Sequence, residues 1–230
     1  MKDLSVNYKD YMLEKTSRQP ENIEWSISYS YNAQDNVSKR VLLIGDSICN
    51  GYQPYVRENL SACVNVTFWV SSKCVTDSRF LRELNFYLDA HNYDLILFNN
   101  GAHSTMEFSV EREEAYRNTV DFILKKCNNI PLALVLCTPV KSISMDNMLK
   151  DINEHTVKLA DEKNLPIVDL HTPMLAFDKD KVMGDGVHWN EDVKKVQGKI
   201  IAGFIIQTLK PESYNINQLA SEKDPDGEIG

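Results

Sequence analysis

The chain has 230 residues, with 25 Lys and Arg against 33 Asp and Glu, a formal net charge of −8. An acidic chain gains nothing from counterion release, so nucleic acid is excluded as a partner, and polyanionic membrane surfaces are disfavoured on the same ground. With 43% hydrophobic and 25% charged residues the composition is globular and not disordered, and no apolar run approaches the ~20 residues of a membrane span.

In chain order, residues 1–38 form a polar N-terminal extension. Within it Ile23, Trp25, Ile27, Tyr29 and Tyr31 alternate with polar residues, the period of a half-buried strand. An edge strand, or an extended segment packed on the domain, is expected there. No apolar leader region opens the chain, so a cytoplasmic protein is expected, or a secreted one if a leader has been removed.

From Val41 the pattern changes. Short apolar runs (Val41–Ile44, Val64–Val70, Tyr93–Phe98, Leu132–Cys137, Ile167–Leu170) are separated by stretches of helical period. Tyr52, Val56 and Leu60 mark the first helix. Phe80, Leu81, Leu84, Tyr87 and Leu88 mark the second, and Tyr116, Val120, Ile123 and Leu124 the third. Leu149, Ile152, Thr156 and Leu159 mark the fourth, and Val196, Ile200, Ile201, Phe204 and Ile205 the last. Strict β–α alternation predicts a five-stranded parallel sheet with helices on both faces, a three-layer α/β/α sandwich. Its first, third and fourth runs are nearly continuous, as central strands are. This domain spans 39–210, and 211–230 is a tail expected to fray. Five cysteines at irregular spacing read as reduced thiols, with neither zinc-ribbon nor thioredoxin spacing.

Ligands in an open α/β sheet bind at the carboxyl ends of the strands. Gly45-Asp46-Ser47 follows the first run, Asn99-Asn100-Gly101-Ala102-His103 the third, and Gly184-Asp185-Gly186-Val187-His188-Trp189-Asn190 a long loop after the fifth. Five of the nine glycines fall in or beside these segments, where backbone must turn sharply or approach a ligand. Ser47 stands where a strand hands over to a helix, a place for an exposed nucleophile or simply for a helix cap. A serine hydroxyl needs a base to take its proton, and His188 is the natural one. Asp185, three residues earlier, can hold the imidazole N–H. The chain order Ser, Asp, His is a known triad order, although the G-x-S-x-G elbow is missing.

Gly45-Asp46-Ser47, Asn100-Gly101-Ala102-His103 and Asp185-Gly186-Val187-His188 together resemble the ordered blocks of the SGNH hydrolases, also called GDSL esterases and lipases. The resemblance runs from about Val41 to Leu209. It implies a flavodoxin-like sandwich and hydrolysis of acyl esters without a cofactor, with Ser47 as nucleophile, His188 as base and Asp185 as its partner. The chain departs from the family at the oxyanion hole. The segment Ser71-Ser72-Lys73-Cys74-Val75-Thr76 lacks the family's glycine after the second strand, which leaves the Lys73 or Cys74 N–H beside that of Ser47. The family's donor Asn is replaced by His103, with Asn100 as the fallback.

Other candidates remain beside these. Cys49 and Cys74 flank the site and could serve a thiol enzyme, or be core thiols. Asp169 is an alternative acid. Tyr52, Arg79 and Trp189 could line a substrate pocket or pack. His91, His155 and His171 lack paired metal-ligand spacing, so no metal is expected. The leading reading is a serine esterase acting on a small-molecule or carbohydrate ester, O-acetyl groups among them. The rivals are a non-catalytic binding module with a degraded oxyanion hole, and a thioesterase or lysophospholipase.

Overall fold

The computed structural model describes residues 2–15, 18, 20–61, 63–103 and 110–211. Ser104 and residues 212–230, most of the expected tail, lie outside the described residues. The strands are β1 (Ser26–Ser30), β2 (Lys39–Gly45), β3 (Val64–Ser71), β4 (Leu95–Phe98), β5 (Leu132–Val135) and β6 (Ile167–Val168). The helices are α1 (Ser47–Leu60), α2 (Phe80–Ala90), α3 (Val110–Lys126), α4 (Ile143–Lys163), the one-turn α5 (Lys179–Val182) and α6 (Glu191–Leu209).

The sheet has six strands in the order β1-β3-β2-β4-β5-β6, and it is mixed, not the five-stranded parallel sheet expected. All the β2–β6 pairings are parallel. The added strand is the alternating segment of the N-terminal extension, which pairs antiparallel to β3 from Ser26↔Ser71 to Ser30↔Thr67. Alternation identifies a half-buried strand but carries no information on its partner or direction. Only the packing of β1 on β3 settles both. Without β1 the order is that of a flavodoxin-like doubly wound sheet, whose switch point falls between β2 and β4.

Two apolar layers cover the sheet. In β2, Leu42 and Ile44 join Trp69, Phe80, Leu84, Phe98, Tyr116 and Val120 on the α2–α3 side. Val41 and Leu43 join Val56, Leu60, Phe68, Val70, Ile201 and Ile205 on the α1–α6 side. Burial on both faces is why β2 reads as an unbroken apolar run. Burying such Leu, Ile and Phe side chains contributes about 1.5–3 kcal/mol each. Among the described residues no helix is long and apolar enough to cross a membrane.

Helix ends are fixed by the side chains that usually do so. Asp46, Ser142 and Asn190 accept from Ile48 N, Met145 N and Val193 N at the starts of α1, α4 and α6. Asn164 closes α4 in the left-handed conformation at φ 54°.

Candidate active site

Ser47 opens α1 directly after β2, at the switch point. Gly45 lets the first turn of that helix sit against the strand end, because a Cβ there would lie 2.4 Å from Cys49 Cβ. The neighbouring Asp46 is 1% exposed. Its Oδ1 accepts from Ile48 N at 2.9 Å and its Oδ2 from Ala102 N at 3.1 Å. One buried carboxylate therefore caps α1 and ties the β4 loop to the Ser47 turn. The sequence offered no signal for the second of these bonds, which joins residues 56 positions apart.

The base arrives on the loop between α5 and α6. Asp185 Oδ1 accepts from Val187 N at 2.9 Å and from His188 N at 2.8 Å, a turn that an Asp side chain closes on its own backbone. Gly186 stands at φ +83°, where an L side chain would be strained. The loop is pinned from outside by Lys141 N donating to Gly186 O at 2.8 Å and by the Met183–Trp189 bridge. Within this turn Asp185 Oδ2 lies 2.6 Å from His188 Nδ1, and His188 Nε2 lies 2.8 Å from Ser47 Oγ. The backbone N–H of His188, its ring and the Val187 N–H hold the Asp185 carboxyl well below the usual carboxylate range. With Asp185 ionised, Nδ1 is the donor and Nε2 presents its lone pair to the Ser47 hydroxyl. The pair is open to solvent, with His188 44% and Asp185 57% exposed at the side chain.

On the other side of Ser47 the structure redistributes the expected oxyanion residues. Lys73 N donates to Ser71 Oγ at 3.1 Å, so that N–H is spent within the loop. The Lys73 ammonium, nearly buried, turns to Glu83 at 3.2 Å. Asn100 is 1% exposed. It accepts from Val75 N at 3.0 Å and donates to Lys73 O at 2.9 Å, bracketing Cys74. Lys73 and Asn100 are thus braces of the loop after β3 and not oxyanion donors. Asn100 does what the missing glycine cannot, setting that loop's path by side-chain bonds. Cys74 lies between the two bonds, with its side chain in the core beside Trp69. The first-turn N–H of Ser47 remains at the positive end of α1. His103 follows Ala102, the residue locked to Asp46.

The remaining candidates are placed as follows. Cys49 is 2% exposed, and burial pushes its thiol up to about 12. With Cys74 fully buried as well, neither is a thiol nucleophile. Asp169 accepts from His171 N and Thr172 N, capping a turn, and has no bond to His188. Trp189 packs in the core: it is 2% exposed, against Met174, Met183 and Val193, and its Nε1 donates to Thr138 Oγ1. Arg79 is held by both oxygens of Asp77 at 2.9 and 2.6 Å, a brace of the β3 loop. Tyr52 is buried, but it does border a small apolar cavity beside the Ser47 turn, together with Asp46, Cys49, Ala102, Cys137 and Val187. The cavity, ≈20 Å³, has room for about one water molecule. Among the described residues no cluster of His, Cys, Asp and Glu could hold a metal ion.

No family model and no curated protein matches the sequence. Solved structures do match. An acetyl xylan esterase, AlAXEase, superposes with a TM-score of 0.62 at 19% identity, over 73% of this chain and 100% of that one. A carbohydrate esterase of family 3 from Talaromyces cellulolyticus gives 0.62 at 15% identity, over 75% and 98%. A GDSL-like lipase from Bacteroides thetaiotaomicron gives 0.59 at 19% identity, over 74% and 89%. The chain has the fold of the SGNH, or GDSL, hydrolases.

Proposed function

We propose that the protein is a serine esterase of the SGNH type that hydrolyses small acyl esters, O-acetyl groups on a carbohydrate among them. The observation that carries this reading is the continuous line from Asp185 Oδ2 through His188 to Ser47 Oγ, at 2.6 and 2.8 Å. Ser47 Oγ attacks the ester carbonyl as His188 Nε2 takes its proton, and Asp185 steadies the imidazolium. The tetrahedral oxyanion is met by the Ser47 N–H and by His103. When it collapses, His188 returns the proton to the leaving alcohol and Ser47 is left acylated. Water then attacks the acyl-enzyme by the same sequence, releasing the acid and restoring Ser47.

The solvent-open Asp185–His188 pair, 57% and 44% exposed at the side chain, supports a bulky polar alcohol side. Two of the three solved structures above bear the names acetyl xylan esterase and carbohydrate esterase. The test is hydrolysis of p-nitrophenyl acetate against p-nitrophenyl octanoate by the wild-type protein and Ser47→Ala. A Ser47-dependent rate on acetate that collapses on octanoate is the expected result. Binding of acetylated sugars without any Ser47-dependent turnover would favour the binding-module reading, and an equal rate on octanoate would favour a lysophospholipase.

A further inference from the structure

The loop that carries Asp185 and His188 is held at its ends and at its middle. The ends are joined by the Met183–Trp189 bridge, and α5 closes just before it with Met183 N donating to Lys179 O at 3.1 Å. The middle hangs on the bond from Lys141 N to Gly186 O at 2.8 Å. Behind that bond stands a pair of charges. Lys179 Nζ donates to Val140 O at 2.6 Å, and Asp146 Oδ1 accepts from Val140 N at 2.8 Å. The two charged groups lie 3.7 Å apart. Val140 itself is buried. The second oxygen of Asp146 takes Lys150 at 2.9 Å. Burial raises the Asp146 carboxyl, but the bonds from Lys150 and Val140 N–H and the charge of Lys179 outweigh it and hold it below its ordinary range.

The Val140 C=O and the Lys141 N–H belong to one planar peptide unit and point to opposite sides of it. Lys179 therefore grips one side of that plane while the catalytic loop hangs from the other. We propose that Lys179 is a positioning residue for His188, orienting the Val140–Lys141 peptide, with Asp146 as its counter-charge, so that the loop is held within reach of Ser47. The inference rests on the reading of His188 as the base. A cation on the carbonyl oxygen also polarises the peptide and strengthens its N–H as a donor to Gly186 O. Gly186 stands between Asp185 and His188, so a rotation of this peptide shifts both. The gap of 2.8 Å from His188 Nε2 to Ser47 Oγ tolerates little of that, since proton transfer needs hydrogen-bond reach. For the fold itself Lys179 matters less. Its side chain is 34% exposed, and an ion pair that open contributes little to stability. Lys150 stays on Asp146 when Lys179 is removed, so no carboxylate is left uncompensated.

The experiment compares Lys179→Met and Lys179→Arg in the full chain, assayed on p-nitrophenyl acetate. Lys179→Met should lower kcat about ten- to a hundredfold, the size of a loss from misplacement by about 1 Å, with KM within twofold. Its melting temperature should fall by less than about 4 °C. Lys179→Arg keeps a cationic donor at the carbonyl and should recover most of kcat. Wild-type kcat in Lys179→Met would overturn the proposal. So would a loss of kcat accompanied by a fall of more than about 10 °C in melting temperature, because Lys179 would then serve the fold as a whole. Amide hydrogen exchange reads the same contact without any turnover. The Lys141 amide should exchange about tenfold faster in Lys179→Met than in the wild type, with the amides of β2 and β4 unchanged. Equal exchange at Lys141 would overturn the proposal. If Ser47→Ala remains as active as the wild type, the esterase reading fails on its own account, and the exchange at Lys141 still decides for Lys179.

Discussion

The two sides of the Ser47 site are built in opposite ways. The acid–base side is made by four consecutive residues, Asp185 to His188, with the carboxylate closing its own turn and then reaching the ring. The side proposed to face the oxyanion is assembled from three stretches far apart in the chain, residues 18 and 21–25, 71–79 and 100–103, joined by side-chain bonds that span 25 to 82 positions. A locally encoded turn needs a correct glycine and a correct spacing. A non-locally encoded wall needs partners that no spacing announces. The first should therefore fail by losing chemistry and the second by losing alignment.

The largest effects are expected on the chemical side. Ser47→Ala and His188→Ala should each lower kcat by about 10⁴-fold or more, and Asp185→Asn by about 10²–10⁴, with folding intact by circular dichroism. A residual rate in Ser47→Ala within tenfold of the wild type would remove the nucleophile from the scheme. Next comes His103. Loss of one oxyanion donor costs roughly 10²–10³ in rate and acts on kcat more than on KM. His103→Ala should show that split, whereas His103→Asn should keep most of the activity, and a fully active His103→Ala would leave the oxyanion to backbone donors alone.

Smaller effects separate local from non-local construction. Gly186→Ala places an L side chain at φ +83°, which costs about 1–2 kcal/mol, or about 2–8 °C in melting temperature for a chain of this length. Its kcat should fall further than that stability loss explains, because the turn carries His188. Asn100→Ala removes two buried bonds from the β3 loop, and a loss of about 1–3 kcal/mol is expected. An Asn100→Ala protein of wild-type stability would show that the loop holds its path without the brace.

The last effect is one of pH. Burial raises the Glu24 carboxyl, but bonds from Ser72, Arg18 and the Glu21 N–H outweigh it and hold the group at about 2, against an ordinary value of 4.5. A depressed carboxyl stabilises the fold above its ordinary value, and that contribution fades as pH falls from about 4.5 towards about 2. Glu24→Gln should lower the melting temperature at pH 7 and approach the wild type near pH 2–3. A difference that stays constant over this range would mean that Glu24 acts through packing and not through charge.

The sequence alone determined the layered β–α architecture, because a strand buried on both faces must be apolar at every position and a helix packed on one face must repeat every three to four residues. It also placed Ser47, Asp185 and His188 together, since each follows the end of a strand or sits in one short turn whose chemistry is written in adjacent residues. Only the tertiary structure decided the rest: that β1 joins the sheet as a sixth, antiparallel strand, that Asp46 ties Ala102 to the Ser47 turn, that Lys73 and Asn100 are braces and not donors, that Trp189 is core, and that Glu21 meets His103. Each of these depends on where two distant stretches come to rest against each other, and the side chains that make the contact, Asn, Asp, Glu and Arg, carry no periodic signal. Hydrophobic periodicity records which face of an element is buried, whereas a hydrogen bond between loops depends on the positions of both, and those are fixed only when the core has closed.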